Sequence, residues 1–531
     1  MSHSRFAAIA LLVALIASPA LADDGNGNGN AVIKHTPVEI GGTLNIQWGS
    51  STAPFGQTLL VISDGIGPTT YPGLGLVCLD LFSPSASIAV DTNLDATGQT
   101  SLSIGIPNIP GLTTLAPIYA VALVVDFSQP NPFTISKTVG FYFENPDSYS
   151  SANGSLGTPR ALHTATALAA DSFDNEVEVF VAGGGNGSIL APAADATTEL
   201  FSPLTRTFRP GPTMAAARAL HQAVRLPNGT VLLCGGTDNA GTVTTSCEIF
   251  DPVTETLSAT GGMTQARAGH VATLLGNGKV LVTGGLPSFV GGTTMLAAIL
   301  NGALNTGEIY DPATGTWSAV PGTMASKRFG HSQVLLNDGR VMITGGINGG
   351  FTLFGQDLPT YTPTCNFYNP VTNAFQSAPS FATARAGHAT SVLGNGDVLL
   401  TGGIVSGLLS IPTATSSCQR FNGSVWSSAP ALPTAVALHS QIAANGNGDA
   451  IVMGGVTGTF LALGVSSAAV RHTGTAATPL ATVGTNPGDP AEMATARGSH
   501  TCTPLYDGTF VVIGGTDGST AIGGGLVYLE N

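Results

Sequence analysis

A Gly-Gly pair closing an apolar, β-branched run recurs at Gly183, Gly235, Gly284, Gly345, Gly402, Gly454 and Gly514. Each is preceded by a histidine: His163, His221, His270, His331, His388, His439 and His500. The interval is 14 residues in five units, 15 in the sixth and 20 in the first, where residues 169–175 are inserted. Arg160, Arg218, Arg267, Arg328, Arg385 and Arg497 stand three residues before the histidine, and only the sixth unit departs, with Val436. Seven recurrences in one register imply seven copies of one structural unit.

Each unit reads as four strands. An apolar stretch after the histidine ends in Asn228-Gly229, Asn277-Gly278, Asp338-Gly339, Asn395-Gly396 or Asp507-Gly508, dipeptides that tolerate the positive φ of a tight hairpin turn. A second strand runs into the Gly-Gly, as in Val280-Leu281-Val282-Thr283. A third ends in an aromatic and a turn, as in Tyr310-Asp311-Pro312, and Phe208, Leu257, Trp317, Phe375 and Trp426 mark the fourth. Four short antiparallel strands every 49 to 61 residues describe the blades of a β-propeller. The seventh unit runs out of chain after its third strand. Sheet edges must be hidden, so residues 148–151 are expected to pair with the C-terminal strand and fasten the ring.

Gly284-Gly285, Tyr310-Asp311-Pro312 and Trp317 resemble the marks of the kelch repeat. The resemblance implies an all-β fold, a seven-bladed kelch β-propeller over 147–531. Kelch propellers serve scaffolds, adhesins and enzymes alike, so it implies little about activity. The radical-copper oxidases resembling galactose oxidase are kelch propellers whose metal is held by Tyr and Cys side chains from inner-strand starts. Here those places hold Leu162, Leu220, Gly269, Gly330, Gly387, Leu438 and Ser499, and that activity is not expected.

Ahead of the propeller, residues 1–22 carry Arg5, an apolar run from Phe6 to Ala17 and Ala20-Leu21-Ala22, the pattern of a cleaved secretory signal. The run is too short to span a bilayer, and no cysteine sits at the cleavage site. Secretion or a periplasmic location is expected. Residues 23–30 read as a Gly/Asn linker. Residues 31–145 lack the repeat and alternate apolar runs with turn residues, as in a small β-sandwich. The net charge of −14 lacks the basic footprint that nucleic-acid binding needs, and membrane insertion is not expected.

Chemistry needs one asymmetric site, whereas a feature repeated in every blade is explained by what every blade needs. The arginines are therefore expected to donate to loop carbonyls and the histidines to bridge neighbouring blades. The departures from the repeat are the site candidates. Arg471-His472 replaces the aromatic turn of the sixth unit, with Asp489 and Glu492 beyond it; Asp357 and Tyr361 sit in a fourth-unit loop. Apolar loops follow the Gly-Gly of successive units and fall on one face: Met295, Leu296 and Ile299; Phe351 and Phe354; Leu408, Leu409 and Ile411; Phe460, Leu461 and Leu463. Exposed together they would make a partner surface. The alternative is that they form a cap over the channel or dock the N-terminal domain.

Among six cysteines, Cys234 and Cys247 fall on adjoining strands of one blade, where a disulfide is geometrically allowed. The pairing of Cys78, Cys365, Cys418 and Cys502 is open. No metal signature and no acid–base pair of carboxylates occurs, so neither cofactor nor catalytic residue is expected. The reading is a monomeric, exported, non-enzymatic binding or scaffold protein with a protein or carbohydrate partner. Its rival is a carbohydrate-active enzyme or lectin working at the same face, with a site around Arg471 and His472.

Overall fold

The computed structural model describes residues 148–529, except 169–177, 187–192, 204, 289–301, 354–355, 407–410, 444–447, 460–461, 480–492, 494 and 506–508, together with strands between 31 and 144. The regular structure among the described residues is β-strand. No helix is long and apolar enough to cross a membrane.

In the first 145 residues, strands Ala31–His35, Thr43–Ser50 and Gln99–Gly105 form one sheet. Phe133–Ile135, Ile118–Val125, Gln57–Ser63 and Ser87–Asp91 form a second. Ile118–Val125 approaches strands of the first sheet, the two-layer arrangement of a sandwich.

From residue 148 onward, seven four-stranded antiparallel sheets follow the seven units. In the second blade they are Gln222–Arg225, Val231–Cys234, Cys247–Asp251 and Thr256–Thr260, in spatial order. The first strands of successive sheets are neighbours, and Thr501–Pro504 of the last approaches Thr164–Ala167 of the first. The circuit is closed.

Successive residues of a strand face opposite sides of its sheet, so one second strand feeds two seams. Val231 and Leu233 pack with Phe180 and Ala182 of the first blade, whereas Leu232 and Cys234 pack with Val280 and Val282 of the third. All are buried, and aliphatic side chains buried in this way contribute about 1.5–3 kcal/mol each. Val511 and Ile513 of the last blade pack with Val179 and Val181 of the first, so the closing seam is as apolar as the others. Toward the rim, Trp317 Nε1 donates to Gly261 O (2.8 Å) and Trp426 Nε1 to Pro379 O (2.9 Å), each reaching the preceding blade.

Ser148–Ser155 is the fourth strand of the last blade. It pairs antiparallel with Gly524–Leu529, with Ser148 opposite Leu529 and Ser151 opposite Leu526. The expected fastening is in place and extends four residues further.

Candidate functional site

The repeated arginine, histidine and Gly-Gly form one device, clearest between the third and fourth blades. Gly284 and Gly285 have φ of 61° and 90°, a region open to glycine. A Cβ on Gly284 would lie 2.6 Å from Arg328 O and 2.8 Å from His331 Cε1. Only glycine fits this close approach. Gly285 N–H donates to Arg328 O at 2.8 Å. The Arg328 side chain turns back into its own blade, where Nη1 donates to Gly345 O (2.7 Å) and Thr364 O (2.9 Å). Backbone bonds from the second glycine to the next unit recur around the ring, through Gly403 N to Val436 O where arginine is absent, and end with Gly515 N to Arg160 O.

Each histidine wedges into the preceding blade. His331, His388 and His439 place Nε2 2.8–2.9 Å from Oγ1 of Thr283, Thr344 and Thr401, the residues just before Gly-Gly. His270 meets Cys234 Sγ there at 3.5 Å. His221 and His163, facing Ala182 and Ile513, find Thr164 and Thr501 instead. Burial lowers His163, His270 and His500 to about 3, with Arg160, Arg267 and Arg497 adding repulsion. His439, whose unit lacks the arginine, is lowered by burial to about 4. These imidazoles are neutral wedges at ordinary pH.

The arginines meet different partners around the ring. Glu199, Glu248 and Glu308 pair with Arg160, Arg218 and Arg267 in the first three blades. Each glutamate also accepts a main-chain N–H, from Gly157, Ala215 and Thr264 respectively. In the fourth blade Asn366 takes this place, and in the fifth Arg385 bonds to Ser417. With no carboxylate beside them, burial lowers Arg328 and Arg385 to about 10.

The residue before each histidine, near the propeller axis, is left-handed: φ lies between 50° and 61° at Leu162, Leu220, Gly269, Gly330, Gly387, Leu438 and Ser499. The conformation costs a non-glycine residue about 1–2 kcal/mol. Six of these residues donate N–H to the carbonyl of the preceding one, including Leu162 to Ser499. Phe329 lies against Gly269 and Leu438 against Gly387. Leucine or glycine stands at six positions of the ring and serine at the seventh.

The loops after Gly-Gly build further structure. Ile347–Leu353 and Gln356–Tyr361 form a hairpin in the fourth blade. In the fifth and sixth blades, Ile404–Val405, Thr413–Ala414, Val456–Thr459 and Ala462–Val465 join into one sheet through Thr413 and Thr459. Phe351, Ile411 and Leu463 are exposed by 38, 49 and 36 %. Met295, Leu296, Ile299, Phe354, Leu408, Leu409, Phe460 and Leu461 lie outside the described residues, as do Asp489 and Glu492.

Two expectations need correction. Arg471-His472 is not on this face. His472 pairs with Ala450, the start of a second strand whose far end leads into Gly454. It is buried, with Nε2 donating to Pro430 O (2.9 Å) and Nδ1 accepting Gly474 N–H (2.9 Å), so its ring atoms are spent on local structure. Nor do Cys234 and Cys247 form the expected disulfide. They are cross-strand partners and remain free thiols. Cys234 Sγ reaches His270 Nε2 and Cys247 Sγ donates to Thr245 O (3.5 Å), so each sulfur has a second partner. Cys365, Cys418 and Cys502 are also free. Among the described residues no three His, Cys, Asp or Glu side chains gather to hold a metal.

The model of the kelch motif matches residues 267–324, which span the third blade. The chain carries a kelch motif within a β-propeller fold. No curated protein matches the sequence. Among solved structures, the kelch propeller is similar to a fungal alcohol oxidase of the AA5 family in complex with copper, at TM-score 0.52 and 15 % identity over 71 % of this chain and 75 % of that one. It is also similar to YjhT, at TM-score 0.45 and 14 % identity over 61 % and 98 %. The residues before the histidines carry leucine, glycine and serine side chains.

Proposed function

We propose that this kelch propeller is an exported, non-enzymatic binding protein that presents the face after the Gly-Gly loops to a protein partner. The observation that supports this most is Phe351, Ile411 and Leu463 standing exposed on loops of three successive blades, two of which share a sheet. A rigid ring beneath such loops suits recognition, because little backbone order is lost on binding. Apart from His500, the repeated arginines and histidines are engaged within and between blades.

The test is a pair of measurements on the mature protein. Phe351→Asp, Ile411→Asp and Leu463→Asp, combined, should leave the Tm within a few degrees and abolish retention of the partner enriched by the unaltered protein. A glycan that raises the Tm in proportion to its concentration, with the rise lost in this variant, would favour the lectin or carbohydrate-active reading instead. Export is tested by the N-terminus of the mature chain, expected at Asp23.

A further inference from the structure

The seam between the sixth and seventh blades departs from the others. His500 is 7 % exposed, and neither ring nitrogen has a hydrogen-bond partner, whereas the other six repeat histidines use Nε2. Nε2 of a repeat histidine is directed at the residue before Gly-Gly in the preceding blade, and here that residue is Met453. Two residues after His500, Cys502 places Sγ 3.7 Å from Met453 Sδ, as Gln333, two residues after His331, joins that histidine at Thr283. Met453 is fully buried and belongs to an apolar cluster with Met493, Phe510 and Tyr528, against which Cys502 packs. Met493 Cε and His500 Cε1 both crowd Gly454 and close the cluster on that side.

We propose that His500 Nε2, Met453 Sδ and Cys502 Sγ form a three-coordinate site for a soft monovalent cation, copper(I). Thiolate and thioether sulfur select this ion over harder metals. Metal–sulfur bonds of about 2.3 Å, opened to a trigonal or tetrahedral angle, put two sulfurs about 3.8–4 Å apart. The observed sulfur separation is within reach of that spacing. The imidazole is suited as well. His500 is buried and its Nε2 has no hydrogen-bond partner, which leaves that lone pair for the metal. Ligation as a thiolate exchanges the Cys502 proton for the ion. Cys502–SH and copper(I) give Cys502–S–copper(I) and a released proton, with no change of oxidation state. The site lies inside a seam, away from the axial ring and the loop face, and does not depend on the binding role proposed above.

The experiment is titration of the mature full chain with copper(I), kept reduced by ascorbate without oxygen, in competition with bicinchoninate. One equivalent should be withheld from the competitor. X-ray absorption should show two sulfurs at about 2.3 Å and one nitrogen at about 2.0 Å. Met453→Leu keeps the volume and removes the thioether, and Cys502→Ala removes the thiolate. Each should weaken binding at least tenfold with circular dichroism unchanged. The double variant Cys234→Ser/Cys247→Ser, which removes the neighbouring thiols of another seam, should bind as the unaltered protein does. No retained copper(I), or retention lost only in the Cys234/Cys247 variant, overturns the proposal.

Discussion

His163 Nε2 lies 3.0 Å from Thr501 Oγ1, joining the first blade to the last across 338 residues of chain. With Gly515 N–H on Arg160 O, this contact gives the closing seam the same two bonds as the internal seam between the first and second blades, where His221 meets Thr164. Circularity, not only blade packing, should therefore set stability.

Removing residues up to Ser155 takes away the fourth strand of the last blade and leaves Gly524–Leu529 as an open edge. The truncated protein is expected to aggregate and to lose several degrees of Tm. Calorimetry with light scattering checks this; an unchanged Tm with a monodisperse solution would mean the ring closes without that strand.

Gly284→Ala places a methyl 2.6 Å from Arg328 O and 2.8 Å from His331 Cε1, at φ 61°. Strain and overlap together should cost at least about 3 kcal/mol, read from urea denaturation. Gly276, which has no atom near its Cβ position, should tolerate alanine within about 1 kcal/mol.

The buried pair Arg267 and Glu308 is replaced in the sixth blade by Val436 and Val470, both buried. Arg267→Val or Glu308→Val alone leaves an unpaired buried charge and should cost about 3–5 kcal/mol. The double variant should lose clearly less than the sum, which a double-mutant cycle measures. Additive losses would show that the two side chains act separately.

Seven buried histidines make the ring acid-sensitive. In the unfolded chain they titrate near 6.5. In the fold His439 is lowered to about 4, His163, His270 and His500 to about 3, and His221, His331 and His388 well below the usual value. The unfolded state therefore binds more protons between these limits. Stability is full above pH 6.5 and is lost as pH falls toward 3, by about 1.4 kcal/mol per pH unit for each histidine fully in that window. Urea midpoints from pH 7 to 5 should fall steeply, and His439→Gln should reduce the slope by one proton. A flat profile over that range would contradict the buried, neutral state.

The blades were legible in the sequence because their requirements restrict residue type. Gly284-Gly285 must be glycine for want of space, and Asn277-Gly278 or Asp338-Gly339 announces its hairpin. The left-handed backbone at Leu162, Leu220 and Leu438 was not legible, since leucine gives no sign of positive φ and the conformation is imposed by the neighbouring blades. The shared sheet of the fifth and sixth blades was hidden too, because Thr413 meets Thr459 only after the ring assembles. Arg471-His472 breaks the repeat, but strand direction, not rarity, decides which face a residue occupies. The Cys234–Cys247 register could be read from the strand pattern, whereas the bonding state of the sulfurs could not. Met453 and Cys502 look like ordinary core residues until the unpartnered His500 beside them is seen.

The closing strand also sets an order in time. Ser148–Ser155 leaves the ribosome some 370 residues before its partner at Gly524–Leu529 exists, which at 5–20 residues per second is about 20–70 seconds. Through that interval it is a strand without a sheet. Its sequence, Ser-Tyr-Ser-Ser-Ala-Asn-Gly-Ser, suits the delay, since a polar segment with a single aromatic is a poor seed for self-association. The residues that complete the molecule are those that can best wait unpaired.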